Sequence, residues 1–230
     1  MSDFVSIEKL SLVDYDGKIA CTLFTESCNF RCPFCHNKDL ALSTATDNIP
    51  FEEVLSFLKS RVNKLEGVVI TGGEPTLMFE LADKIKAIKD LGFLVKLDTN
   101  GYKPETLEFL INNKLIDYVA MDIKNSLDKY DLTTGINNIK QEKILKSISI
   151  LKEGKVDYEF RTTLVKEFHT INDIKEIASL LKGAKKYFLQ KYVASENCIN
   201  KNLHHVDYDV VKEFESVLKE NIDFVGLRGY

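Results

Sequence analysis

The sequence predicts an α/β fold in which parallel strands form a partial (β/α)6 barrel, with extra edge segments at both termini. Short apolar runs alternate about six times with stretches of helical periodicity, and strands separated by helices pair in parallel. The length of 230 residues is slightly short for a complete eight-unit barrel, which needs roughly 250 residues. We therefore expect a single domain over residues 1–230, with functional residues at the carboxyl ends of its strands.

The predicted strands share a high content of Val, Ile, Leu, Phe and Tyr. In chain order they cover residues 19–24, 68–71, 94–98, 118–123, 158–165 and 187–193. Two further extended segments, residues 4–15 and 224–227, are predicted to add edge strands at the two ends of the sheet.

Helices are predicted between these strands from apolar residues at helical spacing. The first begins after Pro50 and the third after Pro104, because proline is tolerated in the first turn of a helix. The fourth ends at Gly154, which accepts a left-handed backbone conformation. Thr170 and Asp173 form a predicted capping box at the start of the fifth. The apolar faces of the six helices begin at Phe51, Leu81, Leu107, Ile144, Ile174 and Val210.

Composition and charge exclude several classes of function. The chain has 31 Lys and Arg against 35 Asp and Glu, a formal charge of −4 and a pI near 5.7. It therefore has no basic field that would hold nucleic acid. No apolar run is long enough to span a membrane, and the first ten residues lack the pattern of a signal peptide. We expect a cytoplasmic protein that binds neither nucleic acid nor membrane and keeps its thiols reduced.

Cys28, Cys32 and Cys35 lie within eight residues, directly after the first predicted inner strand. Such crowding indicates ligands and not disulfides. A C-x3-C-x2-C loop supplies three thiolates, enough to hold three irons of a cubane cluster and leave the fourth iron open. A zinc site that adds His36 is the alternative, although adjacent residues point in divergent directions and would share one metal ion awkwardly. Three unrelated core cysteines are a further alternative, which Arg31 within the loop disfavours.

The spacing of these cysteines, with the aromatic residue Phe34 before the third, resembles the cysteine motif of the radical S-adenosylmethionine superfamily. The string TGGEPTL at residues 71–77 also resembles a motif of that superfamily. The string HNKD at 36–39 is similar to that of glycyl-radical-enzyme activases. LDTNG at 97–101 and AMDIK at 120–124 follow in the expected order, so the resemblance covers nearly the whole chain. Among activases, the size and these strings most resemble the anaerobic ribonucleoside-triphosphate reductase activating proteins, with pyruvate formate-lyase activating enzymes close behind.

The resemblance implies one [4Fe-4S] cluster and a binding site for S-adenosylmethionine. The cluster ligands would be Cys28, Cys32 and Cys35, and the methionyl amino group would be received by Gly72, Gly73 and Glu74. No residue is expected to perform acid–base catalysis, because the cofactor and the cluster carry the chemistry.

Later strand ends carry the other implied cofactor contacts. By resemblance, Lys124 would pair with the methionyl carboxylate, and Asp98 with Asp122 would serve a monovalent cation or the amino group. Asn37 is expected in the same pocket because it adjoins the cluster loop. Arg161 is a candidate contact whose inward or outward direction the sequence does not decide. An ion pair that merely caps the sheet is the structural alternative for this polar cluster.

The remaining cysteines and histidines are expected outside the site. Cys21 is in phase with apolar residues of its strand and is predicted to be a small buried residue. Cys198 and His169 lie in no ligand pattern. Because residues 36–50 contain no cysteine, only one cluster is expected.

The activity that the resemblance implies is reductive cleavage of S-adenosylmethionine, with an electron from reduced flavodoxin or ferredoxin. The resulting radical would remove a hydrogen atom from a backbone glycine of a partner, a glycyl radical enzyme. Anaerobic ribonucleoside-triphosphate reductase is the preferred partner. The alternatives are a pyruvate formate-lyase-type activase, a radical enzyme with a small-molecule substrate such as 7-carboxy-7-deazaguanine synthase, and a metal-binding module without turnover.

Overall fold

One sheet whose spatial strand order follows the chain order forms the centre of the computed structural model, which describes residues 4–230. Its strands are β1 (Ser6–Ser11), β2 (Ala20–Thr25), β3 (Gly67–Gly72), β4 (Leu94–Thr99), β5 (Tyr118–Asp122), β6 (Asp157–Leu164), β7 (Lys186–Lys191) and β8 (Phe224–Arg228). Strands β2 to β8 are parallel, and β1 pairs antiparallel with β2. Because β1 and β8 are the two edges, the barrel is open, and both the predicted fold class and the predicted edge strands are confirmed. Residues 1–3 of the expected domain lie outside the described part.

Helices connect the parallel strands and cover the outer face of the sheet. They are α1 (Lys38–Ala41), α2 (Phe51–Lys59), α3 (Leu81–Asp90), α4 (Pro104–Asn112), α5 (Tyr130–Thr134), α6 (Gln141–Lys152), α7 (Ile171–Leu180) and α8 (Tyr208–Lys219), with short 3-10 turns at Pro75–Leu77 and Leu127–Lys129. The six longer helices correspond to the predicted ones, and the capping box of Thr170 and Asp173 is present. None of the helices in residues 4–230 has the length and apolarity needed to cross a bilayer.

Alternation along the strands gives the sheet two different faces. The outer face is apolar: Leu23, Ile70, Leu97, Val119 and Phe160 are fully buried in one core with the helices. The inner face combines a small apolar group around Tyr15, Ala20, Val69 and Tyr118 with charged side chains of β4, β5 and β6. Stability therefore comes mainly from the outer face, which leaves the inner face available for polar chemistry.

The loop between β1 and β2, residues 12–19, lies against the inner face of the sheet, and we call it the plug loop. The Tyr15 ring packs on Tyr118 with ring centroids 5.8 Å apart. Thr22 Oγ1 donates a hydrogen bond of 2.6 Å to Asp14 Oδ2. A Cβ at Gly67 would lie 2.8 Å from the Tyr15 ring, so glycine allows this close approach. The plug loop is thus packed against the inner face by both rings and hydrogen bonds.

Replacing Leu110 by Ala is expected to lower the free energy of unfolding by about 2–5 kcal/mol, because a fully buried side chain leaves a cavity behind α4. The matched control is Phe109→Ala on the same helix, whose side chain is 53% exposed and whose loss should cost less than about 1 kcal/mol. Urea unfolding followed by circular dichroism measures both. Equal losses would contradict the assignment of the helix face.

Candidate active site

A cavity of about 190 Å³ opens at the carboxyl ends of the central strands. Parallel pairing brings the carboxyl ends of all these strands to the same end of the barrel, so residues far apart in sequence meet there. The cavity is lined by every site residue predicted from the sequence: Cys28, Cys32, Cys35, Asn37, Gly72, Gly73, Glu74, Asp98, Asp122, Lys124 and Arg161.

The cysteine loop, residues 26–37, connects β2 to α1 and holds three free thiols in this cavity. The Phe30 N–H donates to Cys28 Sγ at 3.3 Å, and Asn100 Nδ2 lies 3.8 Å from the same sulfur. Burial raises the pKa of the Cys28 thiol to about 11 and that of Cys32 to about 12. These thiols therefore hold their protons at neutral pH until a metal displaces them.

The donor set in this loop fits an iron–sulfur cluster. Each thiolate of a cubane site binds a different iron, and N–H donors near the sulfurs stabilise the charged cluster. Asn29 Nδ2 is a further donor beside Cys28, buried and without a hydrogen-bond partner in the part of the chain that the structure describes. His36, the fourth ligand of the zinc alternative, stacks instead on Tyr192, and its Nδ1 lies 3.5 Å from Cys198 Sγ. Its ring is thus engaged with the segment after β7.

Two distant segments hold the cysteine loop in place. On one side, Arg31 N–H donates to the Thr134 carbonyl of α5 at 2.7 Å, and a Cβ at Gly135 would lie 2.4 Å from the Arg31 carbonyl oxygen. On the other side, Asn200 N–H donates to the Pro33 carbonyl at 2.7 Å. The position of the three thiols therefore depends on contacts from α5 and from the segment between β7 and α8.

The glycine-rich end of β3 packs directly against the start of the cysteine loop. Gly72 has φ of +117°, and a Cβ at Gly73 would lie 2.0 Å from the Ser27 carbonyl oxygen. Glu74 follows and is buried, and its carboxylate accepts hydrogen bonds from Thr99 Oγ1 and Asn100 N–H, each at 2.7 Å. Burial raises the pKa of Glu74, although these hydrogen bonds oppose the shift. Glu74 thus ties the end of β3 to the end of β4.

A cluster of charged side chains forms the floor of the cavity. Arg161 points inward, with Nε 2.9 Å from Asp122 Oδ1 and NH1 3.1 Å from Asp98 Oδ2. Lys124 Nζ lies 2.9 Å from Asp122 Oδ2, and Lys96 Nζ lies 3.0 Å from Asp98 Oδ1. Of the cations in this cluster, only Lys124 and Arg161 line the cavity, and they do so beside three carboxylates, Glu74, Asp98 and Asp122. Their ammonium and guanidinium groups are the donors that an anionic ligand would meet there.

Both carboxylates of this cluster are ionised. Burial alone would raise the pKa of Asp122, but Arg161 and Lys124 lower it to about 2. The pKa of Asp98 is also lowered, because Arg161 and Lys96 outweigh its burial. Since both carboxylates are paired with side-chain cations, the expected monovalent cation would have to share their oxygen atoms.

Several residues of the site were not identified in the sequence. Asn100 contacts both Glu74 and the cysteine loop, and its position in LDTNG directly after a strand was the available signal. Lys96 lies two residues before Asp98, a spacing that puts both on one face of β4. His169, expected to be uninvolved, is buried with Nε2 at 3.0 Å from the Lys124 carbonyl oxygen, so it fixes the backbone of a site residue.

The two cysteines expected outside the site are both buried. Cys21 is fully buried in the outer core, as predicted. Cys198 is buried beside His36, a contact that its sequence surroundings did not indicate.

The chain is similar to several known proteins. The family model described as the radical SAM superfamily matches residues 22–181. A Methanocaldococcus jannaschii protein named as a glycyl-radical enzyme activating enzyme is 36% identical, over 96% of this chain and 94% of its own. The pyruvate formate-lyase-activating enzyme of Clostridium pasteurianum is 27% identical, over 95% and 97%. A radical SAM methyltransferase from Sphaerobacter thermophilus shares the fold, with a TM-score of 0.74, 16% identity and coverage of 95% and 68%.

Replacing Gly135 by Ala is expected to displace the cysteine loop and weaken iron retention against a chelator by about 10-fold. The matched control is Gly154→Ala, because φ is +68° at Gly135 and +72° at Gly154. Both variants carry the cost of a left-handed alanine, roughly 1–2 kcal/mol, but a Cβ at Gly154 meets only the Lys185 ammonium at 3.6 Å. Iron release from anaerobically reconstituted protein measures the effect. Equal release from the two variants would contradict the role of α5.

Proposed function

The chain belongs to the radical SAM superfamily, and from this premise we propose that it is an activating enzyme that generates a glycyl radical on a partner enzyme. The observation that carries the proposal is the cavity itself, where three free thiols, a glycine-rich strand end and a cluster of ion-paired side chains meet. The 36% identity to a protein named as a glycyl-radical enzyme activating enzyme supports it over nearly the full length of both chains.

In the proposed site, Cys28, Cys32 and Cys35 hold one [4Fe-4S] cluster. When bound, the cluster supplies the electron that cleaves S-adenosylmethionine to methionine and a 5′-deoxyadenosyl radical. The chain itself contributes thiolates, which must lose their protons to bind iron, and the N–H donors of Phe30 and Asn100 beside Cys28. Burial of Cys32 keeps water away from this part of the site.

The remaining lining residues would bind and orient S-adenosylmethionine. Lys124 and Arg161 supply positive charge for the methionyl carboxylate, and Asp122 holds both of them. The amino group would lie at the end of β3, where Gly72 and Gly73 leave backbone atoms accessible. Because Glu74 already accepts hydrogen bonds from Thr76, Thr99 and Asn100, we assign it to shaping this strand end. Asn37, two residues after Cys35, lines the same cavity and would face the adenosyl part of S-adenosylmethionine.

The preferred partner is anaerobic ribonucleoside-triphosphate reductase, since the compact size and the motif strings of the chain are similar to those of its activating proteins. A pyruvate formate-lyase-type activase is the second candidate, supported by 27% identity to the Clostridium pasteurianum enzyme. In both cases the substrate is a backbone glycine of the partner, and flavodoxin or ferredoxin supplies the electron. We therefore expect the proposed activity in the cytoplasm, where thiols are kept reduced.

Replacing Cys28, Cys32 or Cys35 by Ala is expected to abolish release of 5′-deoxyadenosine, because each change removes one ligand of the cluster. The control is Cys21→Ala, which alters a free thiol on the outer face of β2 and should leave the rate unchanged. Chromatography of the products after anaerobic reconstitution and reduction with dithionite gives the rates. If the three variants retained the wild-type rate, the ligand assignment would be wrong.

We expect a glycyl doublet in the electron paramagnetic resonance spectrum when the reduced protein and S-adenosylmethionine are mixed with the anaerobic ribonucleoside-triphosphate reductase of the same organism. A partner variant with Ala in place of the radical-bearing glycine should give no doublet, because an alanyl site lacks the stabilised glycyl radical. Pyruvate formate-lyase is mixed with the protein in a parallel experiment, and the partner that gives the doublet is the one that the protein activates. Release of 5′-deoxyadenosine without a glycyl signal on either partner would refute the activase proposal while leaving the radical chemistry intact.

A further inference from the structure

A continuous chain of ion pairs leads from the cavity to the opposite end of the sheet. It runs from Lys124 to Asp122, Arg161, Asp98 and Lys96, with each neighbouring pair of charged groups 2.9 to 3.1 Å apart. We call these five side chains the charged ladder. Its first four members line the cavity, whereas Lys96 lies below them on β4 and is outside the lining.

Lys96 also connects the ladder to the plug loop. Its ammonium group donates to the Asp14 carbonyl oxygen at 2.6 Å, and its side chain is 5% exposed. A buried lysine is costly unless its charge is paired. Here Asp98 supplies the opposite charge, and the Asp14 carbonyl oxygen accepts a hydrogen bond from the ammonium group. Asp14 is itself held through Thr22, so the base of the ladder is tied to a packed loop.

The charge balance of the ladder depends on Lys96. With Lys96 in place, Asp98 is shared by one ammonium and one guanidinium group, and Arg161 can divide its donors between Asp98 and Asp122. Without Lys96, Arg161 would be the remaining ladder cation beside Asp98. The guanidinium would then be drawn toward Asp98, and Asp122 would lose a partner that fixes its orientation. Lys124 is held by that same carboxylate, so its ammonium would lose its defined position.

We propose that Lys96 is a positioning residue for the cofactor site, acting through Asp98, Arg161 and Asp122 to hold Lys124 where it binds the methionyl carboxylate of S-adenosylmethionine. The inference rests on the proposed binding of that molecule. It also assigns the plug loop, at the far end of the sheet, a share in cofactor recognition, since the loop holds the ammonium group of Lys96.

The test compares S-adenosylmethionine with its decarboxylated form, because a residue that acts through Lys124 affects only the ligand that has the carboxylate. Isothermal titration with anaerobically reconstituted protein gives the dissociation constant of each ligand. For Lys96→Met we expect about 10-fold weaker binding of S-adenosylmethionine and unchanged binding of the decarboxylated form. Lys124→Met should weaken S-adenosylmethionine in the same selective manner. Adding Lys96→Met to that variant should have no further effect, since both act on one contact.

The matched control is Lys89→Met. Lys89 on α3 pairs with Asp117 at 2.7 Å, and that carboxylate accepts a hydrogen bond from the Val95 N–H of β4. The control therefore also removes an ion pair next to β4, but one that is not part of the charged ladder. Both dissociation constants should stay at the wild-type value. If Lys96→Met does not fold, Lys96→Gln takes its place, because an amide retains a donor for the Asp14 carbonyl without the charge.

The outcomes separate this inference from the function on which it rests. Failure of the wild-type protein to bind either ligand would refute the proposed function. Normal binding by the wild type with equal weakening of both ligands in Lys96→Met would overturn the positioning role, since a merely structural residue has that effect. Unchanged binding of S-adenosylmethionine in Lys96→Met would overturn it as well. Selective loss for the carboxylate-bearing ligand supports it.

Discussion

Parallel pairing of β2 through β8 is the constraint on which the site depends. All seven strands run in the same direction, so their carboxyl ends lie on one side of the molecule. The loops that follow these ends are therefore neighbours. The cysteine loop after β2, the glycines at the end of β3 and the charged residues of β4, β5 and β6 come from separate parts of the chain. They share one cavity because the chain crosses back over the sheet before each new parallel strand, which brings all the carboxyl ends together.

The two faces of the sheet divide stability from chemistry. The outer face is closed by helices and buries Leu, Ile, Val and Phe, whose removal from water provides most of the driving force for folding. The inner face has no such covering layer and contains ion-paired groups, which contribute little net stability because their desolvation offsets their attraction. Its charges are held at defined positions by their partners, and the plug loop closes this face at the end opposite the cavity.

Much of this arrangement could be predicted from the sequence. Alternating periodicity gave the strands and longer helices, and the motif strings identified residues that line one cavity. The short helices α1 and α5 were missed, because one or two turns contain too few residues to show a period. The direction of Arg161 became clear only when its ion pairs with Asp98 and Asp122 were present. The contact between Arg31 and Thr134 joins residues about a hundred positions apart and leaves no local pattern.

Similarity of fold does not determine which reaction such a site performs. A structure described as a radical SAM methyltransferase from Sphaerobacter thermophilus shares this architecture at 16% identity, so the fold by itself does not identify a reaction. The parts that differ between reactions must therefore lie where substrate approaches the cavity, in the loops beyond the strand ends. In this chain those loops also support the cysteine loop: α5 holds Arg31, and the segment after β7 holds Pro33 and His36. A change in either loop that alters the substrate surface therefore acts on the position of the thiols as well, and this coupling limits how freely the two loops can vary.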